Sequence, residues 1–183
     1  MDDEYTKTLR RLLSSGALKE NLTKAGLYLV AWELLEDAIV GNLRRFFSPI
    51  LPGDFDDEYK KEVLSLHDDP RATFIASCRW FKNVGVLSDG EVSDLREIRK
   101  HRNDIAHQME NVLLNPQTQI DEVKLMRIFE LLSKIDSWWL VNYEFPLHAE
   151  FDDQEVKIED VKSPRTILLE VLINAVYVTG TVH

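Results

Sequence analysis

Apolar residues recur at steps of three and four along most of this chain, which is the spacing of a helix that buries one face. A short helix is predicted from about Asp3 to Leu13, and a long one from about Lys19 to Phe47 that Pro49 ends. The long helix is expected to bury seven positions: Leu22, Ala25, Leu29, Trp32, Leu35, Ile39 and Leu43.

The middle of the chain carries start signals for further helices. After a short helix at 59–66, Pro70 fits the first turn of a helix that runs to about Asn83. The buried side of that helix is expected to carry Phe74, Cys78 and Phe81. Ser88 and Glu91 have the spacing of a capping box and open the next helix. Another amphipathic helix is predicted over about 120–143, and its buried face is expected to use Val123, Met126, Ile128, Leu131, Ile135 and Trp138.

The last forty residues are less regular. The segment near 144–162 has no sustained helical period, so a hairpin or an extended arm around Val156–Ile158 is expected. Ser163 and Pro164 fit a helix start, and Ile167–Val178 is apolar enough to predict a core element or an oligomer contact, helical or strand. We predict an all-α protein, an antiparallel bundle of five to seven helices, in one domain over 1–183.

Composition limits the possible functions. Hydrophobic residues make up 44% of the 183 and charged residues 30%, which is typical of a globular domain. The net charge of −10 disfavours a protein that grips nucleic acid over its whole surface. The single Cys78, the acidic N-terminal residues and the lack of a long apolar run indicate a cytoplasmic protein with no membrane span. Scattered histidines and one cysteine predict no metal site.

The densest basic cluster of this acidic chain lies between positions 96 and 107, on the predicted helix that Ser88 and Glu91 open. On a helical wheel, Arg102 falls inside the apolar arc, which is defined by Leu95, Ile98, Ile105 and Ala106. A guanidinium in a packed face needs a carboxylate, a phosphate or water there. The flank beside that arc carries Arg96, Arg99, Asn103 and His107, with Lys100 nearby.

Each of these residues also has an ordinary structural interpretation. Arg102 could pair with Glu33 or Asp37 of the long helix, and His107 could be a plain helix-end residue favoured by the dipole. His101 faces away from the apolar arc, so we expect it in solvent.

Arg102, Asn103 and His107 resemble the Arg-(four to six residues)-His motif of the HEPN superfamily. The resemblance covers a core of about 20–145 and leaves 146–183 as a C-terminal extension. It implies a dimeric helical bundle and a metal-independent endoribonuclease without cofactor, such as a toxin or antiviral-defence effector. His107 would then act as general base or acid, Arg102 would stabilise the charged transition state, and Asn103 would orient His107 or the phosphate. Contacts to RNA would come from Arg96, Arg99 and Lys100, and an antitoxin or defence protein is a possible partner.

The alternative is a non-catalytic helical module for protein interaction or regulation. The acidic charge, the apolar terminal segment and the pair Trp138 and Trp139 are typical of a scaffold that holds another protein. In the order of its helices the chain is also similar to the mannitol-operon repressor family.

Overall fold

The computed structural model describes residues 6–7, 16–47, 55–114, 120–147 and 161–177. Every regular element in these ranges is helical and none of these residues forms a strand, which confirms the predicted all-α class. The first long helix, α1, is an unbroken rod: an α-helix over Gly16–Glu36, a π-helical turn over Asp37–Gly41 and a last α-helical turn over Asn42–Phe46. Residues 6–7 are helical, and the rest of the predicted helix at 3–13 lies outside the described residues.

Six more helices follow within the described ranges. They are α2 (Phe55–Glu62), α3 (Thr73–Asn83), α4 (Asp89–His107), α5 (Met109–Leu114), α6 (Glu122–Trp139) and α7 (Pro164–Tyr177). A 3-10 turn over Leu64–Leu66 follows α2, and a π turn over Leu140–Glu144 with a 3-10 turn over Phe145–Leu147 extends α6. The seven helices from residue 16 onward agree with the predicted number.

The long helix α1 is the centre of the bundle. It contacts α4, α5, α6 and α7, and its π turn contacts α3. The face it turns inward is fully buried and carries Ala25, Tyr28, Ala31, Trp32, Leu35 and Ile39. Burying aromatic and aliphatic side chains along the whole rod supplies most of the driving force for assembling the other helices around it.

Contacts at the ends of the helices fix their directions. Lys24 meets Glu122, and the ring of Phe46 meets that of Trp139, so α6 runs parallel to α1. His101 of α4 lies at the start of α6, so α4 runs antiparallel to α6. α7 also runs antiparallel to α6, because its first residues contact the end of α6. Successive long helices from α4 onward therefore alternate in direction.

Aromatic side chains fill the end of the bundle where α1, α3 and α6 meet. Trp138 contacts Trp80 and Phe81 of α3, and Trp139 stacks on Tyr143 with 4.7 Å between ring centroids. Trp139 is buried and Trp138 is half-buried against the core. The tryptophan pair therefore packs inside this protein, and most of its apolar area is used there.

Three residues assigned to the buried faces of α1 and α6 are exposed. Leu22 of α1 is 54% exposed, and Val123 and Met126 of α6 are 81% and 46% exposed. Both helices carry apolar residues around more than one arc, and the neighbouring helices cover only one of them. On α6 the covered arc carries Leu125, Ile128, Leu131, Leu132, Ile135 and Trp139. Apolar spacing at steps of three and four does not by itself show which arc other helices will cover.

Of the two helix starts predicted in the middle of the chain, one is confirmed and the other lies a few residues later than predicted. Ser88 and Glu91 form the predicted capping box, whereas Pro70 lies in a turn and α3 begins at Thr73 after a helix cap at Ala72. Asp69 accepts from the backbone of Arg71, and this local bond holds Pro70 in the turn. The hairpin expected around 156–158 lies outside the described residues.

The apolar terminal segment is a helix, α7, and not a strand. Ser163 caps it by accepting from the backbone of Thr166 at 3.0 Å, and Pro164 occupies its first turn as predicted. Leu169 is fully buried, so the segment is a core element as expected. The opposite side of α7 is exposed, because α1 and α6 cover only one of its faces.

Candidate functional site

The basic cluster lies along one side of α4, where it faces α3. A groove of about 370 Å³ runs between the two helices, lined by Phe74, Ile75, Arg96, Arg99, Lys100, Asn103 and Asp104. These α4 residues follow at steps of three and four, so a single helix face carries all of them. The structure therefore brings together the three predicted RNA contacts and Asn103.

Arg99 is held in place by the ring of Phe74. Its guanidinium carbon lies 5.3 Å from the ring centroid, which is the geometry of a cation–π contact. Arg96, Arg99 and Lys100 have no carboxylate partner among the described residues. Against these three cations the lining holds one carboxylate, Asp104, so the groove keeps a formal excess of two positive charges. Such an excess beside an aromatic ring forms a surface suited to phosphate groups and to planar bases.

Arg102 does not line this groove. Its Nη2 donates to Oε1 of Glu33 on α1 at 2.8 Å, and its Nη1 donates to Oδ1 of Asn103 at 3.2 Å. The side chain is 31% exposed, and its Nε is buried without a hydrogen-bond partner among the described residues. The guanidinium in the apolar arc is thus satisfied mainly by a carboxylate, which was one of the two interpretations left open by the sequence.

His107 is the last residue of α4 and is exposed. It follows Asn103 by four positions, so both side chains lie on the face of α4 that carries the basic groove. No described contact joins His107 to Arg102. Ala106, expected in the buried arc, is exposed because α1 and α5 leave the last turn of α4 uncovered on that side.

His101 is not a solvent residue. Its ring meets that of Tyr28 edge-on with 5.0 Å between centroids, and its Nε2 accepts the backbone N–H of Asp121 at 3.2 Å. Burial, with the nearby charge of Lys124, holds the pKa of His101 below its ordinary value. A neutral imidazole is required here, since a protonated Nε2 could not accept. The wheel placed His101 off the apolar arc but could not show that α1 and α6 cover that flank.

An acidic groove adjoins the basic one. It has a volume of about 320 Å³ and is lined by Glu33, Glu36, Asp37, Val40, Gly41, Arg44, Thr73 and Phe74. Phe74 lines both grooves, and the ion pair between Arg102 and Glu33 lies near their junction. The carboxylates of the acidic groove would therefore repel a polyanion that is bound in the basic groove.

A second polar cluster, which the sequence analysis did not predict, lies where α7 meets α1 and α6. Asp136 is buried on α6, and its carboxylate accepts from Ser163 and from Nη2 of Arg165 at 2.7 Å. Arg165 also contacts Asp37 and Oδ1 of Asn42. Burial raises the pKa of Asp136, and the bonds to Ser163 and Arg165 oppose that rise.

The π turn of α1 is shaped by the same cluster. The Asp37 carboxylate folds back over Gly41, where a Cβ would overlap it, and it accepts from Arg45 at 3.0 Å. Asn42 is buried, and its Nδ2 has no hydrogen-bond partner within the described ranges. The only available signals in the sequence were Asn42 and Asp136, two polar residues at positions where the helical period requires apolar ones.

The described residues contain no group of three or more His, Cys, Asp or Glu side chains placed to hold a metal ion. Among the described helices, none combines the length and apolar character required to cross a membrane. No family model, no curated protein and no solved structure matches this chain. The geometry of α4 and its neighbours therefore carries the functional proposal alone.

Proposed function

We propose that the chain is a metal-independent endoribonuclease of the HEPN type. The observation that supports this most is the row of Arg96, Arg99, Lys100 and Asn103 along one groove, with His107 on the same face of α4. In an acidic protein, a local groove with an excess of positive charge is where RNA would be attracted.

In the proposed reaction the RNA supplies its own nucleophile. His107 takes the proton from a 2′-hydroxyl, the 2′-oxygen forms a bond to phosphorus, and the bond from phosphorus to the 5′-oxygen breaks. The protonated imidazole returns the proton to the leaving 5′-oxygen. The products are a 2′,3′-cyclic phosphate and a 5′-hydroxyl, and no cofactor or metal takes part.

Arg102 would stabilise the charge that develops on the phosphate in the transition state. It is bonded to Glu33, so the phosphate must compete with that carboxylate for Nη2, while Asn103 keeps Nη1 in place. A symmetric homodimer would bring two copies of α4 towards one cleft and double its positive charge. An antitoxin or a defence protein would then act by covering the cleft.

The test is cleavage of a labelled RNA oligonucleotide in excess chelator. Wild-type protein should cut it, and His107→Ala should cut at least about 100-fold more slowly. His67→Ala is a matched control at a histidine whose contact is local to its own loop. An oligonucleotide with 2′-deoxyribose at the cleaved position should resist. Full activity of His107→Ala would contradict the proposal.

The second candidate is a non-catalytic interaction or regulatory module, and the ion pair between Arg102 and Glu33 favours it. If Arg102 only fastens α4 to α1, Arg102→Ala should lower the melting temperature and Arg102→Lys should restore part of the loss. If Arg102 is catalytic, both variants should lose cleavage, because lysine cannot grip a phosphate with a planar pair of donors. Melting curves and RNA cleavage on the same two variants separate the candidates.

A further inference from the structure

A groove larger than the basic one lies on the other flank of α4. It has a volume of about 560 Å³ and runs between α4 and α6. Its lining combines apolar and charged residues: Asp94, Glu97, Ile98, Glu122, Val123, Lys124, Met126, Arg127 and Glu130. Nothing in the proposed RNA cleavage uses this groove.

The apolar part of the groove is unusual for a protein surface. Val123 and Met126 lie one turn apart on α6 and are 81% and 46% exposed, above a floor formed by the buried Ile98. They continue the apolar pattern of α6, yet none of the described helices covers them. Apolar side chains that are arranged along a groove and bare of any partner indicate a surface for binding another molecule.

The charges of the groove specify the partner. Its lining holds four carboxylates and two cations, a formal excess of two negative charges. Both cations are already held: Arg127 by Asp94 at 2.9 Å and by Glu130 at 2.7 Å, and Lys124 by Asp121 at 2.7 Å. The same ion pairs engage Asp94 and Glu130, and Glu122 pairs with Lys24, so Glu97 is the lining carboxylate without an ion pair among the described residues. A partner therefore gains by bringing positive charge and loses by bringing negative charge.

The shape of the groove favours a helical partner. Its walls are two antiparallel helices, and its α6 side extends from residue 122 to 130, which is about two helical turns. A helix that places apolar side chains at steps of three and four can lay them against Val123 and Met126, with its Lys or Arg residues beside the carboxylates. A second copy of this chain fits less well, because its own groove would bring the same carboxylates face to face.

We propose that the groove between α4 and α6 docks a basic amphipathic helix of another protein. The partner's apolar side chains cover Val123 and Met126, and its cations pair with Glu97 and the neighbouring carboxylates. This site is independent of the proposed cleavage centre, since it uses the opposite flank of α4.

The probe is a synthetic, labelled helical peptide with leucines at steps of three and four and lysines flanking them, and fluorescence anisotropy on the full chain measures its binding. One control peptide has the same composition in scrambled order, and another has glutamate in place of lysine. The amphipathic basic peptide should bind at least about tenfold more tightly than either control. Equal binding of the scrambled peptide would show charge attraction alone and would overturn the proposal.

Variants locate the site on the protein. Val123→Ser with Met126→Ser should weaken the basic peptide at least about tenfold, and Glu97→Gln should weaken it about two- to threefold with a smaller dependence on salt. Val84→Ser is the matched control, since Val84 is an exposed valine at the end of α3. An unchanged affinity in the double variant would overturn the proposal.

A photo-crosslinking residue at position 123 of the otherwise unchanged chain tests whether another part of this chain or a second copy occupies the groove. With the peptide present, the cross-link should form to the peptide, and without it the groove should give no specific product. A cross-link within the chain would show that another part of this chain fills the groove. A cross-link to a second copy would show a self-association surface. Either product would overturn the proposal.

Discussion

Arg102 of α4 and Glu33 of α1 form an ion pair of 2.8 Å at the place where a basic groove meets an acidic one. The guanidinium has a second bond to Asn103, and its buried Nε has no hydrogen-bond partner in the part of the chain that the structure describes. A substrate phosphate at this point would replace Glu33 as the partner of Arg102. The pair thus links the bundle's stability to the proposed catalysis, and the two contributions can be measured separately.

The Arg102–Glu33 pair should contribute little to stability by its charges alone. Glu33 is 62% exposed, and exposed ion pairs contribute about 1 kcal/mol or less. We expect a double-mutant cycle of Arg102→Ala and Glu33→Ala, followed by urea unfolding, to give a coupling energy below about 1 kcal/mol. A coupling of about 3 kcal/mol or more would show a pair that the fold requires and would favour the non-catalytic module.

Arg165→Ala should destabilise the protein far more than the loss of the Arg102–Glu33 pair. It removes the guanidinium from the buried carboxylate of Asp136, and an uncompensated buried charge costs about 3 kcal/mol. Arg45→Ala is the matched control, since Arg45 also bonds to Asp37 and Asn42 but is 60% exposed and should cost less than about 1 kcal/mol.

The cost of Arg165→Ala should also depend on pH. The folded-state pKa of Asp136 is raised, so its protonated form is favoured in the fold, and a protonated carboxyl needs no counter-charge. The difference in the free energy of unfolding between wild type and Arg165→Ala should therefore shrink as pH falls towards 4. A difference that stays constant with pH would show that Asp136 is not the cause.

Stability should fall below neutral pH because of His101. Its folded-state pKa is lowered, so its contribution is complete above the ordinary value of about 6.5 and is lost as pH falls through the folded pKa. The charged groups that influence it are Lys124, Asp121 and Asp104, and Tyr28 packs against the ring.

Melting curves between pH 7.5 and pH 5 measure this effect, since the carboxyls with lowered pKa titrate in a more acidic range. His101→Phe should flatten the dependence. Equal pH dependence in wild type and His101→Phe would remove His101 as the source.

Two neighbouring leucines of α7 should differ sharply in how much each contributes to stability. Leu169 is fully buried and Leu168 is 48% exposed. Leu169→Ala should lower the free energy of unfolding by about 3 kcal/mol, and Leu168→Ala by less than about 1 kcal/mol. Similar values for both variants in urea titrations would show that α7 does not pack through Leu169 against α1 and α6.

The helices of this fold were largely predictable, because their signals are local. The predicted helix over 19–47 corresponds to the rod from Gly16 to Phe46, and the capping box of Ser88 and Glu91 lies within four consecutive residues. The position of α3 shifted from 70 to 73 because a turn at Asp69 competes with the helix start. The buried arc of α6 was not predictable, since it depends on which helices pack against α6.

The candidate site was predictable only along α4 itself. Arg96, Arg99, Lys100 and Asn103 share a face because they share a helix, and the structure keeps them in one groove. The partners of His101 are distant in sequence, Tyr28 on α1 and the backbone of Asp121, so its burial could not be foreseen. Nor could the bond between Asp136 and Arg165, which joins two helices across 29 positions.

The sequence by itself determined the all-α class, the approximate extent of the long helices and the basic face of α4. These follow from interactions within a few residues, namely helical periodicity, capping and the spacing of like side chains on one face. Only the tertiary structure decided that Glu33 holds Arg102, that His101 is covered and that Val123 and Met126 are bare. The physical reason is that burial belongs to no single helix, because it is set by the helices that pack around it.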